Sequence, residues 1–147
     1  MTYDVQPAAG KFYGAKFVYP VRVYYEDTDA GGIVYYANYL RFAERARTEF
    51  IRALGCNQQD ALEAEDKCGF TVRSCTTDYK LPAVLDDALA VTCELRDAKG
   101  ASAVMFQEIY RGDTLLATVA VKVAYVNLGR KRPVRIPSEL LNKLSCL

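Results

Sequence analysis

The sequence predicts an α+β fold in which a five-stranded antiparallel sheet wraps around one long central helix. Three observations predict it. First, only one long stretch has helical spacing: Tyr39, Phe42, Ala43, Ala46, Phe50, Ala53 and Leu54 fall on a single apolar stripe. Second, the segments before and after it are rich in β-branched and aromatic residues, and the later ones alternate apolar with polar. Third, the last three of these segments are separated only by Lys99-Gly100 and Gly112-Asp113, connections so short that they pair neighbouring strands antiparallel. A lone helix with an apolar stripe needs a cover, and a curled sheet supplies one.

Taken in order, residues 1–16 hold Pro7, Gly10 and Gly14 among scattered aromatics and read as an irregular lead-in. Phe17 to Tyr24 reads as the first strand. The central helix follows a loop, with Asn38 as N-cap and Gly55 as its stop. On its polar side Arg45 and Glu49 lie one turn apart. A weaker helical stretch covers Gln58 to Glu65. Thr71 to Tyr79, Ala88 to Asp97, Ala103 to Arg111 and Leu115 to Val126 then read as four strands. No repeat, low-complexity tract or linker divides residues 1–147, which read as one domain.

A chain of 147 residues is long enough to bury roughly 68–70% of its unfolded surface without staples. The net charge of +1 conceals an asymmetry: residues 1–121 carry 13 basic and 17 acidic side chains, whereas 122–147 carry six basic and one acidic. A basic end of this kind suits phosphates on a small ligand. It lacks the interleaved aromatics that base stacking would need, so nucleic acid is not the expected partner. The five cysteines are odd in number and contain no C-x-x-C pair, and the chain has no histidine. A disulfide framework and a metal site are both unexpected, and a reducing compartment is the expected setting. With no signal pattern and no apolar stretch long enough to span a bilayer, a cytoplasmic protein without a transmembrane segment is expected.

The chemistry concentrates between Tyr25 and Tyr39, Y-E-D-T-D-A-G-G-I-V-Y-Y-A-N-Y. Gly31 and Gly32 allow positive φ and close approach of a ligand to the main chain. The helix beginning near Asn38 aims unpaired N–H groups and a positive dipole end back at the loop. A fixed carboxylate, Asp29, beside such donors is equipment for attack on an acyl carbonyl. The same residues also suit a plain turn with solvated acids, because acids and glycines belong in loops. Without histidine, the acid, base or nucleophile must come from a carboxylate, hydroxyl or thiol.

Extended through L-R-F-A-E-R-A-R-T-E-F, this segment resembles the signature of hot-dog-fold acyl-CoA thioesterases. The nearest group is the Tol–Pal-associated, YbgC-type enzymes, related to 4-hydroxybenzoyl-CoA thioesterase. The similarity is specific over residues 21–54 and returns more loosely at V-R-S-C-T-T-D-Y-K-L-P-A-V-L-D-D, residues 72–87. The resemblance implies a five-stranded sheet around the helix, catalysis by the second acid of the D-x-D pair, here Asp29, and no cofactor. It also implies homodimers, often joined into tetramers, with active sites at the dimer interface. Many YbgC-type relatives carry histidine where this chain has Tyr36, whereas the 4-hydroxybenzoyl-CoA enzyme resembles this chain in having tyrosine.

Around Asp29, the expected substrate-binding residues are Gly32, Ile33, Tyr35 and Tyr36. Tyr25, Tyr35 and Tyr36 could line an acyl pocket, but aromatic residues around a strand end are more often core. Lys99 and Ser102 of one hairpin, with Lys131 and Arg132 of the basic segment, are candidate contacts for the phosphates of coenzyme A. Glu44 on the helix is a second candidate base. It also fits a structural role, bonding Thr48 or pairing with Arg47. Cys56 and Cys68 lack the partner that would make either a nucleophile. The expected reaction is acyl-CoA plus water to free acid plus coenzyme A. The alternative is a module that binds acyl-CoA or acyl carrier protein without turnover, and a buried acid beside an acyl carbonyl would favour catalysis over it.

Overall fold

The computed structural model describes residues 1–147. Strands β1 (Lys11–Tyr13), β2 (Lys16–Arg22), β3 (Cys68–Tyr79), β4 (Ala88–Lys99), β5 (Ser102–Arg111), β6 (Thr114–Asn127) and β7 (Arg132–Pro133) form one antiparallel sheet. Its order is β1-β2-β4-β5-β6-β3, with β7 also on β6. Helices α1 (Asn38–Ala53), α2 (Gln58–Glu63) and α3 (Ser138–Ser145) complete the chain. Five long strands around one long helix match the expectation.

Three short elements were not expected. Gly14, at φ +64°, turns the lead-in so that Lys11–Tyr13 pairs with the start of β2. β7 is only two residues long, and three- and two-residue strands are too short to show alternation. Helix α3 buries Leu140 and Leu144 against the sheet's far end.

Helix α1 ends as glycine chemistry dictates. Gly55 sits at φ +84°, its N–H reaches the Arg52 carbonyl, and the Cys56 N–H reaches Ile51, the paired bonds of a Schellman close. The buried stripe is Tyr39, Phe42, Ala43, Ala46, Phe50 and Ile51, so Ile51 takes the place expected for Ala53, which is exposed. Phe42 and Phe50 are wholly enclosed, each worth roughly 1.5–3 kcal/mol by burial alone. They divide the interior. Phe50 packs with Phe17, Cys93, Val119 and Val121, and Phe42 with Val23, Val91, Ile109 and Leu116. Leu116 enters the core because the β5–β6 register slips between Ile109 and Tyr110.

Strand β3 is the sheet's long edge. It pairs with β6 alone, from Cys68↔Asn127 to Tyr79↔Ala117. Thr71 to Thr76 are all exposed, so both faces of its middle lie open as well as its outer backbone.

Candidate active site

Residues Tyr25–Asp27 make one 3₁₀ turn, and Asp27 anchors the loop that leads from it to the helix. Its Oδ2 accepts the Tyr24 N–H at 2.8 Å. Its carbonyl accepts both the Tyr35 N–H at 2.9 Å and the Asn38 side-chain amide at 2.8 Å. This last bond corrects the expected capping. Asn38 is already helical, the N-cap is Ala37, and no side chain caps the helix. Asn38 spends its side chain tying loop to helix instead.

Asp29 opens a tight reversal. The Gly32 N–H donates to the Asp29 carbonyl, and the Asp29 N–H to Ile33, each at 3.0 Å. Gly32 takes φ +80°, the left-handed conformation such a reversal requires. The Gly31 N–H donates to Asp29 Oδ1 at 2.8 Å, and a Cβ on Gly31 would lie 3.1 Å from that oxygen. One carboxylate oxygen is thereby fixed, and Oδ2 has no partner within the chain. The buried acid of the pair is Asp27, at 9% exposure, and Asp29 is exposed in the protomer. The loop is held from outside through Ala83: its carbonyl accepts the Val34 N–H, and its N–H donates to the buried Tyr39 hydroxyl, both at 2.9 Å.

Beside the reversal runs an open groove lined by Ile33, Tyr36, Tyr39, Tyr79, Leu81 and Pro82 among others. Its rings meet edge to face, Tyr36–Tyr79 with centroids 6.2 Å apart and Tyr39–Tyr79 at 5.4 Å. Tyr35 packs on Tyr36 at 4.9 Å. Neighbouring Tyr36 raises the Tyr35 hydroxyl above the ordinary phenol range, with the Asp29 carboxylate adding to the effect. Tyr25, Tyr35 and Tyr36 are all exposed, so none is core. Tyr25 does not line the groove, whereas Tyr79, which sequence reasoning did not single out, does. The N–H groups of Tyr36 and Ala37 donate to no other group of the chain. Gly32 and Ile33 thus bond the Asp29 backbone, Tyr35 feels its carboxylate, and Tyr36 packs on Tyr35.

The other four candidates lie elsewhere. Arg22, just before the loop, pairs with Ala88 at the start of β4, and Lys99 ends that strand. A strand of this length puts roughly 35 Å between the two ends. The Ile136 N–H donates to Gly100 at 2.9 Å, which docks the segment following Lys131 and Arg132 beside the hairpin of Lys99 and Ser102. Within one chain the phosphate-dock candidates therefore stand together, far from Asp29.

Glu44 does what a structural residue would. Its Oε2 binds Arg47 at 2.7 Å and its Oε1 accepts the Thr48 hydroxyl at 2.9 Å. Arg47 in turn donates to the buried Gln107. Arg45 and Glu49 do not pair with each other, since Glu49 faces Arg52 instead. Among the thiols, burial raises Cys56 and pushes Cys93 to about 12, the opposite of what a nucleophile needs.

An antiparallel sheet of this order wrapped on one long helix is the hot-dog architecture. A family model described as the thioesterase-like superfamily matches residues 23–144. The acyl-CoA thioesterase YbgC of Haemophilus influenzae is 49% identical over 124 residues, 84% of this chain and 90% of that protein. The acyl-CoA thioester hydrolase YbgC of Escherichia coli O6:H1 is 45% identical over 126 residues, 85% of this chain and 92% of its own length. Among solved structures, a probable thioesterase from Bartonella henselae superposes with a TM-score of 0.80 at 35% identity, covering 84% of this chain and all of that one. The chain belongs to the thioesterase-like hot-dog superfamily and, within it, to the YbgC-type acyl-CoA thioesterases. No helix is long and apolar enough to cross a membrane.

Proposed function

We propose that this thioesterase hydrolyses acyl-CoA at the Asp29 reversal, with Asp29 as its catalytic carboxylate. The observation that carries the reading is the state of the loop's polar groups. Asp29 keeps one oxygen free while the Gly31 N–H holds the other, and the helix entrance offers the unspent N–H groups of Tyr36 and Ala37. A thioester carbonyl over that entrance gains a donor for the negative charge that develops on its oxygen. Asp29 Oδ2 then either takes a proton from attacking water or attacks the carbonyl itself. In the first route water adds, the C–S bond breaks, and coenzyme A leaves as thiolate. In the second, Oδ2 bonds to the acyl carbon, the C–S bond breaks and coenzyme A leaves as thiolate; water then hydrolyses the acyl–aspartyl anhydride, releasing the free acid and restoring Asp29. The groove of Ile33, Tyr36 and Tyr79 receives the acyl group.

The carrier's phosphates fall to Lys99, Ser102, Lys131 and Arg132 of a second copy. The Tyr79 end of β3 touches the helix entrance through the Tyr36 carbonyl, and the Cys68 end pairs with Asn127, beside the basic segment. Two β3 edges paired antiparallel therefore bring the Asp29 end of one protomer against the basic end of the other. The open edge and exposed faces of β3 support that pairing, and with it a homodimer or dimer of dimers. The same basic end suits an acyl carrier protein, whose thioester arm also carries a phosphate. The odd cysteine count supports a cytoplasmic setting.

The test is free-thiol release from a panel of acyl-CoAs, short aliphatic to long aliphatic to aromatic, by the parent and by Asp29→Asn. Turnover of at least one thioester, lost in the variant, is the expected result. Tight acyl-CoA binding with no thiol release from any member would point to the binding-module alternative. After a single turnover in ¹⁸O-water, label in the Asp29 carboxylate would establish the anhydride route with water attacking the aspartyl carbon, whereas direct attack of water on the thioester labels only the product acid.

A further inference from the structure

We propose that Tyr79 is a positioning residue for hydrolysis, its hydroxyl aiming and polarising the Tyr36–Ala37 peptide so that the Ala37 N–H meets the substrate carbonyl. This rests on the reading of the Asp29 loop as the catalytic site. Tyr79 lies at the end of β3, 43 residues from Tyr36 in sequence, and its Oη donates to the Tyr36 carbonyl at 2.9 Å.

That carbonyl is one the helix leaves over. The Asn38 N–H goes to Tyr35 at 2.8 Å, and the Leu40 N–H, which a regular helix would give to Tyr36, goes to Ala37 at 3.2 Å. The peptide between Tyr36 and Ala37 thus accepts from another element on its oxygen side and donates to nothing on its nitrogen side. A trans peptide is planar, with C=O and N–H on opposite sides, so fixing the oxygen fixes the direction of the Ala37 N–H. A donor on the oxygen also draws charge through the amide, making that N–H the stronger partner for an incoming oxyanion.

Tyr79 is itself well held for the task. Its ring meets Tyr36 at 84° and Tyr39 at 74°. Tyr39 is fixed in turn by the Ala83 N–H. Burial raises the Tyr79 hydroxyl above the ordinary phenol range, so it keeps the proton it donates. Packing alone does not call for this hydroxyl: Tyr79 is 43% exposed, and phenylalanine would make the same ring contacts.

The experiment is Tyr79→Phe, read three ways. Its kcat falls about tenfold, the effect of one aimed hydrogen bond, with KM within about twofold. Its melting temperature matches the parent's. In an Asp29→Asn background, which leaves the thioester intact, infrared spectra of a ¹³C-carbonyl acyl-CoA show the bound stretch below that of the free molecule, and adding Tyr79→Phe returns it toward the free value. If kcat and the stretch are unchanged while Asp29→Asn abolishes turnover, Tyr79 has no such role and the catalytic site stands. If kcat falls with the melting temperature and the stretch does not move, the hydroxyl is structural and the proposal is overturned. If Asp29→Asn itself leaves turnover intact, the underlying reading of the loop fails, and this inference with it.

Discussion

Asp27 and Asp29 lie two residues apart in opposite surroundings. Asp27 is enclosed, with Oδ2 on the Tyr24 N–H at 2.8 Å, while Asp29 is exposed, with only Oδ1 engaged, by the Gly31 N–H at 2.8 Å. The two variants should therefore separate stability from chemistry. Asp27→Ala removes a cap and should lower stability by about 1 kcal/mol, measured by urea unfolding. Asp29→Asn should unfold like the parent yet lose roughly 10²–10⁴ in kcat, the range for a positioned acid–base group. The reverse pattern would exchange the two roles.

Glu44→Gln is the matched control on the helix. Glu44 is already satisfied by Arg47 and Thr48 and is 58% exposed, so its ion pair contributes little. Both kcat and stability should stay close to the parent, the latter within about 1 kcal/mol. A Glu44→Gln enzyme without turnover, beside an active Asp29→Asn enzyme, would make the helix acid the base.

The long elements were legible because each rests on local pattern: the Tyr39-to-Phe50 stripe, the alternation of Leu89, Val91 and Cys93, and Gly55 at the helix close. The role of Asp27 was not legible. The adjoining Gly31-Gly32 singled out Asp29, but only the fold reveals that Asp27 turns inward to anchor the loop. Asn38 misled for a related reason, since its side chain has two uses and the Asp27 carbonyl, eleven residues back, won over the cap. Tyr79 was invisible for want of proximity in sequence. The basic cluster was legible as charge, but its distance from Asp29 is a property of strand length.

The loop that braces Ala83 should give stability a pH dependence. Burial works to raise the Asp87 carboxyl, but the Val84 N–H and the Arg111 guanidinium, each 2.9 Å from Oδ2, outweigh it and hold the carboxyl below its ordinary value. A depressed folded value contributes stability that is complete above the unfolded value, about pH 4, and disappears as pH falls through the folded one. Asp87→Asn should therefore melt about 2–4 °C below the parent at pH 6, with the gap closing toward pH 3. A gap that widened on acidification would contradict the pairing.

The carrier contacts should show as uniform binding. On the proposed reading, Lys131 and Arg132 meet phosphates in ground and transition states alike, so neutralising both should raise KM for acyl-CoA while kcat holds. A truncated pantetheine thioester, lacking those phosphates, should be processed as by the parent. Equal loss on both substrates would remove the phosphate dock.

Pairing through β3 makes a sharper demand, because each site then takes Asp29 from one chain and its basic end from the other. The protein should scatter light as a multiple of its 16.4 kDa mass, and a species of 16.4 kDa at micromolar concentration would contradict the pairing. Asp29→Asn and the Lys131/Arg132 double variant should each be poor at low acyl-CoA concentration. When the two are mixed and allowed to exchange, half of the dimers are hybrid. Each hybrid holds one site with both defects and one with neither, because Asp29 comes from the double variant and the basic end from the Asp29→Asn chain. Activity at low substrate should therefore recover to about a quarter of the parent's. If Asp29 and the basic end served one site within a single chain, no hybrid would contain an intact site. The mixture would then show only the average of its parts.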